Sequence, residues 1–175
     1  MQNKLLPDIT VKNVHILDEK FYKDRGIKAV IFDIDNTLVA HTEPTPPKDV
    51  FDYFELLNKW GIKFSVVSNN TVERVDSFCK DLGVPYYGKA LKPRKKYLKK
   101  VINEMGVQKS ETALVGDQLF TDMWGANRMK FLSVLVTAVG EDETSFVSFK
   151  RKFEKRILEK NEHKLKEYKG DGVVE

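Results

Sequence analysis

Asp33 and Asp35 stand two residues apart where the apolar run of AVIFDIDNTLVA (29–40) should end. A carboxylate at the end of a buried strand is desolvated, and an unpaired charge there costs several kcal/mol or is lost to protonation. Two further acids, Asp117 and Asp122, follow another apolar run in TALVGDQLFTD (112–122). Ser68, Asn69 and Asn70 close the run IKFSVVSNN (62–70), and Lys92 precedes Pro93 in ALKP. Taken singly, most of these have ordinary explanations. Ser68, Asn70 or Asp117 can cap a helix, and Lys92 can be a solvated loop lysine. Together they call for a cation, and ligands that are all oxygen, without cysteine or histidine, favour a hard divalent ion, Mg²⁺ over Ca²⁺. Such an ion beside a lysine and a hydroxyl is suited to chemistry on a phosphoryl group.

The elements that must position these residues are legible from hydrophobic periodicity. IKAVIFDI (27–34), IKFSVVS (62–68), TALVG (112–116) and FLSVLVTAV (131–139) are apolar runs too short for helices, with a weaker strand at VPYYGKA (84–90). Helical patterns lie between them. Residues 48–60 put Phe51, Phe54, Leu57 and Trp60 on one face, 71–82 do the same with Val72, Val75, Cys79 and Leu82, and 94–105 form a third, each followed by a glycine. Continuous apolar strands separated by single helices imply crossovers and a parallel sheet buried on both faces. The expected fold is three-layer α/β with about five parallel strands, and in such sheets polar groups collect at the carboxyl ends of the strands. LLPDITVKNVHIL (5–17) carries no clear pattern.

Composition narrows the setting. A chain of 175 residues with 41% hydrophobic content can bury one sizeable core, so a single domain over 1–175 is expected, with its centre at 27–139 and a helical tail at about 143–169. One cysteine, Cys79, and three scattered histidines exclude an internal disulfide and a cysteine-rich zinc cluster, and fit a reducing, cytoplasmic compartment. No run approaches the roughly 18 apolar residues of a membrane span, and Pro7 and Asp8 stand where an export signal needs an apolar stretch.

These residues carry a resemblance. DIDNT (33–37), VVSN (66–69), LKP (91–93) and GDQLFTD (116–122) resemble, in order, the four motifs of the haloacid dehalogenase (HAD) superfamily, and LPD near the N-terminus and SNN extend the likeness to subfamily IIIA, in its YqeG-like branch related to mitochondrial phosphatidylglycerophosphate phosphatases. The resemblance implies a Rossmann-like HAD fold and an Mg²⁺-dependent phosphomonoester hydrolase. It implies Asp33 as nucleophile, forming an aspartyl-phosphate, and Asp35 as general acid and base. Mg²⁺ would be held by Asp33, Asp117 and the main-chain carbonyl of Asp35, and phosphate by Ser68, Asn69 and Lys92, with Thr37 and Asp122 in support.

Only 32 residues separate Asp35 from Ser68 and 23 separate Ser68 from Lys92, each gap filled by one helix and one strand. No cap domain fits; VAHTEPTPP (39–47) is at most a short flap. An open site suits a phosphate on something large, with phosphatidylglycerophosphate favoured. Charge bears on the partner. KALKPRKKYLKK (89–100) holds seven Lys or Arg and no acid, and 150–169 holds nine against four Glu, in a chain whose net charge is only +4. The tail sets Phe146, Phe149, Phe153 and Ile157 at helical spacing, a stripe that either packs on the domain or lies on an anionic bilayer at the inner face of the membrane. Nucleic acid is a lesser alternative, either as a partner of a HAD-like scaffold that works on ribosomes or RNA, or as a macromolecular substrate; a small soluble phosphate is another. A phosphorelay receiver domain also pairs acidic residues with a lysine, but its acceptor aspartate follows the third strand, where this chain has YYGKA.

Overall fold

The computed structural model describes residues 4–140 and 145–170, with the side chains of Ser145 and Phe146 outside that description. Six strands form one parallel sheet: β1 (Ile9–Val11), β2 (Ala29–Phe32), β3 (Lys63–Val67), β4 (Tyr86–Tyr87), β5 (Thr112–Gly116) and β6 (Leu132–Val136), in the order β1-β6-β5-β2-β3-β4. The three central strands are in register, Phe32 lying beside both Val66 and Val115. The chain therefore leaves all three at one level, and the polar residues that follow meet along one edge.

Helices cover both faces. α1 (Glu19–Asp24), α2 (Lys48–Lys59) and α3 (Val72–Cys79) pack Phe21, Tyr22, Phe54, Leu57, Val75 and Phe78 over one side of the sheet. On the other side, α4 (Lys96–Met105) and α5 (Trp124–Met129) bury Leu98, Val101, Ile102, Ala126 and Met129, and α6 (Ser145–Lys160) adds Ile157 and Leu158. Two helices are rotated from the faces read off the sequence. In α2, Phe51 is exposed and Tyr53 is buried, because its hydroxyl donates to Leu17 O at 3.0 Å and meets the Tyr22 hydroxyl at 2.7 Å. In α3, Phe78 takes the place expected for Val72, which is exposed.

The sixth strand comes from the segment that shows no pattern. β1 has three residues, with Ile9 and Val11 buried beside Val134 and Val136, and Asp8 fastens it by accepting hydrogen bonds from Ser133 N (2.9 Å) and Oγ (2.8 Å). Beyond α6 the chain returns to the outer side of β1: Thr10 N donates to Lys166 O, Tyr168 N donates to Thr10 O, and the Tyr168 ring is fully buried against Phe21. Both ends of the described chain thus complete the same sheet edge. The tail packs differently from its aromatic stripe. Phe149 and Phe153 point to solvent, the Phe146 side chain lies outside the described residues, and the docked side of α6 is carried largely by Arg151, Glu154 and Leu158. Among the described residues, no helix is long and apolar enough to cross a membrane.

Candidate active site

The ends of β2 and β3 and the loop after β4 deliver Asp33, Asp35, Ser68, Asn69 and Lys92 to one hollow of about 230 Å³, which Gln118, after β5, and Lys150 also line. After β2 the backbone turns sharply. Asn36 adopts the left-handed conformation (φ 62°), which asparagine tolerates better than most residues, and its N–H donates to Val39 O at 2.7 Å. After β3 the helix cap falls to Thr71, whose Oγ1 accepts from Arg74 N, so Ser68 is not consumed in capping. Ser68 is buried in the hollow, and its Oγ accepts from Asn70 N at 3.2 Å. Asn69 ties this loop to the next: its side chain donates to Lys92 O (3.1 Å) and accepts from Lys92 N (2.6 Å). Leu91, beside the lysine, is itself left-handed (φ 55°), a strained conformation for a branched side chain.

Lys92 is only 6% exposed, far from a solvated loop lysine. Its Nζ donates to Asp33 Oδ1 at 2.8 Å and lies 2.7 Å from Asp122 Oδ1. Burial works against its charge, but the carboxylates of Asp122 and Asp33 outweigh that and hold the ammonium above the ordinary lysine range. Asp122 is fixed in turn, accepting from Gln118 N at 3.1 Å. It lies so close to the end of β5 that a Cβ at position 116 would overlap its carboxyl group, so Gly116 makes room for it. Thr37 Oγ1 donates to Asp117 Oδ1 at 3.2 Å.

Asp33, Asp117 and Asp122 each offer an oxygen within 4.8 Å of the others. Burial and crowding act on two of these acids. Burial pushes the Asp33 carboxyl up to about 8, with Lys92 opposing and Asp122 and Asp117 adding to the rise. Burial and then Asp122 push Asp117 up to about 6 against the pull of Arg151. Asp33 and Asp117, both pushed toward the protonated form, stand with Asp122 as a set of carboxylate oxygens that fits a hard divalent cation.

Asp35, two residues from Asp33, has separate partners. Asn70 Nδ2 donates to its Oδ2 at 2.9 Å, and Arg74 donates to Oδ1 from Nε (3.2 Å) and Nη2 (2.9 Å). The same guanidinium donates from Nη1 to Pro44 O, pinning the 39–47 flap to α3. Two residues of α6 reach the loop that follows β5, and one of them, Lys150, lines the hollow. Lys150 Nζ donates to Gln118 Oε1, and Arg151 pairs with the Asp117 carboxylate while donating to its main-chain oxygen at 3.2 Å. Arg74, Lys150 and Arg151 were not among the residues expected from sequence. Arg74 lies six residues after Ser68 and one turn into α3, which was readable, whereas the reach of α6 back to β5 was not. A larger apolar groove of about 410 Å³ is lined by Asp117 and Arg151 among others, but it contains neither Lys92 nor Asp33.

Residues 1–139 match the family model described as Mitochondrial PGP phosphatase. A Bacillus subtilis (strain 168) protein named "Probable phosphatase YqeG" is 40% identical over 154 residues, covering 87% of this chain and 89% of that one. "Phosphatidylglycerophosphate phosphatase 1, chloroplastic/mitochondrial" of Arabidopsis thaliana is 30% identical over 154 residues, covering 82% of this chain but 44% of the plant protein. The crystal structure of an uncharacterized protein from Listeria monocytogenes serotype 4b aligns with a TM-score of 0.51 at 18% identity, covering 67% of this chain and 85% of that one, a likeness of fold.

Proposed function

The chain belongs to the mitochondrial PGP phosphatase family and is a HAD-type phosphoric monoester hydrolase, and from that premise we propose that it cleaves phosphatidylglycerophosphate with Mg²⁺ by way of a phosphorylated Asp33. The observation that carries the mechanism is the division of labour between two neighbouring carboxylates: Asp33 shares a buried ammonium with Asp122, while Asp35 is held apart by Arg74 and Asn70.

In this reading Asp33 attacks the phosphorus in line. Its oxygen–phosphorus bond forms as the ester bond breaks, and Asp35 gives a proton to the departing alkoxide. Asp35 then takes a proton from water, which attacks the aspartyl-phosphate, releases inorganic phosphate and restores Asp33. Lys92 and the Ser68 hydroxyl hold the equatorial oxygens as charge spreads over them. Asn69 contributes from the phosphate side and keeps the Lys92 loop in place, Asp122 aims the lysine, and Thr37 steadies Asp117. Asp33, Asp117 and the main-chain carbonyl of Asp35 would hold Mg²⁺, which supplies charge neutralisation at the phosphoryl oxygens.

The lipid substrate is supported by the family match and by a hollow that no separate domain covers among the described residues. The whole chain acts as one unit, in the cytoplasm and peripherally at the inner face of the membrane. The test is phosphate release with Mg²⁺ from phosphatidylglycerophosphate in mixed micelles, set against soluble sugar, nucleotide and aryl phosphates. The expected result is a preference for the lipid that disappears in Asp33→Asn. Absence of release from every substrate in the presence of metal would overturn the mechanism, and equal turnover of all of them would overturn the substrate.

A further inference from the structure

The outer side of α6 is built unlike the side that docks. Phe149 and Phe153 are 57% and 43% exposed, and their rings meet edge to face at 4.9 Å. With Phe120 and Ile157 they form the apolar floor of an open groove of about 430 Å³, whose remaining lining is Lys150, Arg156 and Lys160. The groove adjoins the catalytic hollow. Lys150 lines both, and the segment that gives Phe120 to the groove gives Gln118 and Thr121 to the hollow. The two acids of α6 are accounted for elsewhere: Glu154 is buried and accepts from Phe120 N at 3.0 Å, and Glu159 faces Lys155 at 3.9 Å.

We propose that this aromatic groove is the surface by which the protein docks on an anionic phospholipid bilayer, with Phe149 and Phe153 entering the headgroup layer and Arg156 and Lys160 meeting lipid phosphates. The proposal rests on the reading of the adjoining hollow as the catalytic mouth, and adds which residues bring that mouth to a surface. Apolar side chains ringed by cations match the boundary between acyl chains and anionic headgroups. The same patch is a poor platform for nucleic acid, which stacks bases on open ring faces. Here Phe149 abuts Phe153 edge on, and the Arg156 guanidinium sits 5.9 Å from the Phe153 ring centre.

The experiment is co-sedimentation of the full chain with vesicles of phosphatidylcholine alone and with equimolar phosphatidylserine, lipids that are neither substrate nor product. The expected result is binding to the anionic vesicles only, falling as salt is raised past about 0.1 M. Binding should weaken roughly tenfold or more in Phe149→Ser/Phe153→Ser and in Arg156→Glu/Lys160→Glu. The circular dichroism of both variants, and turnover of a soluble aryl phosphate by the phenylalanine variant, should stay unchanged. Wild-type protein left in the supernatant, or both variants binding like wild type, would overturn the proposal. So would a dimer that dissociates on the phenylalanine substitutions, or binding to single-stranded RNA in place of vesicles. Vesicle binding without phosphatase activity on any substrate would sink the catalytic reading and leave the docking surface standing. Turnover of micellar phosphatidylglycerophosphate without vesicle binding would do the reverse.

Discussion

Lys92 is the residue on which two carboxylates depend. Lys92→Met leaves Asp33 and Asp122 buried without their shared ammonium, and breaking a buried pair from one side costs about 3–5 kcal/mol. Aryl phosphate turnover should fall roughly 10²–10³-fold and the urea midpoint should drop with it, both measurable on one preparation. Arg74 acts on the other carboxylate. If it positions Asp35 as a proton donor, Arg74→Ala should slow hydrolysis of an alkyl phosphate by roughly 10²-fold but spare an aryl phosphate, whose leaving group needs little protonation. An equal fall in kcat on both substrates would count against that role. The strand-end residues were legible in sequence because each belongs to a local pattern, an apolar run followed by a polar group. Arg151 was not, because an arginine on a helix reads the same whether it meets water or a carboxylate from another element.

The same contrast holds for whole elements. β2, β3 and β5 announce themselves as continuous apolar runs, and glycines stop the helices between them. β1 has only three residues, too few to show a period, and its pairing with β6 depends on Asp8 and Ser133, which are 125 residues apart. α6 shows a clear aromatic stripe, yet its opposite side docks, because Arg151 and Glu154 find partners at Asp117 and Phe120 that an apolar face could not satisfy. Past α6, Tyr168 anchors the returning chain, with its ring on Phe21 and its hydroxyl donating to Asp18 at 2.7 Å. Tyr168→Ala should therefore cost about 3–5 kcal/mol, as for other large buried rings. Hydrogen exchange should locate the loss in Ile9–Val11 and their neighbours, with the central strands less affected.

At the scale of the whole molecule, the crowded acids couple stability to pH. Asp33 and Asp117 titrate at about 8 and about 6 in the folded protein, against an ordinary value of 3.8. Between those values the folded state keeps protons that the unfolded chain has released, so stability is lost as pH rises through the window. Metal-free protein should unfold at lower urea at about pH 8 than at about pH 5, and Mg²⁺ should restore more stability at the higher pH, where fewer protons compete for the oxygens. Urea titrations at the two values, with Mg²⁺ and with a chelator, would check both signs. The closed sheet edge also constrains the order in which the molecule can be made. Chains emerge N-terminus first, and among the described residues β1 pairs with β6 and with residues 166–168, which are synthesised long after it. The parts contributed by residues 33, 68, 92 and 117 are all synthesised before α6. The part of the hollow built on Asp33, Ser68 and Lys92 can therefore form on a nascent chain before α6 adds Lys150, while Ile9 and Val11 still wait for their partners as a sticky, unpaired edge.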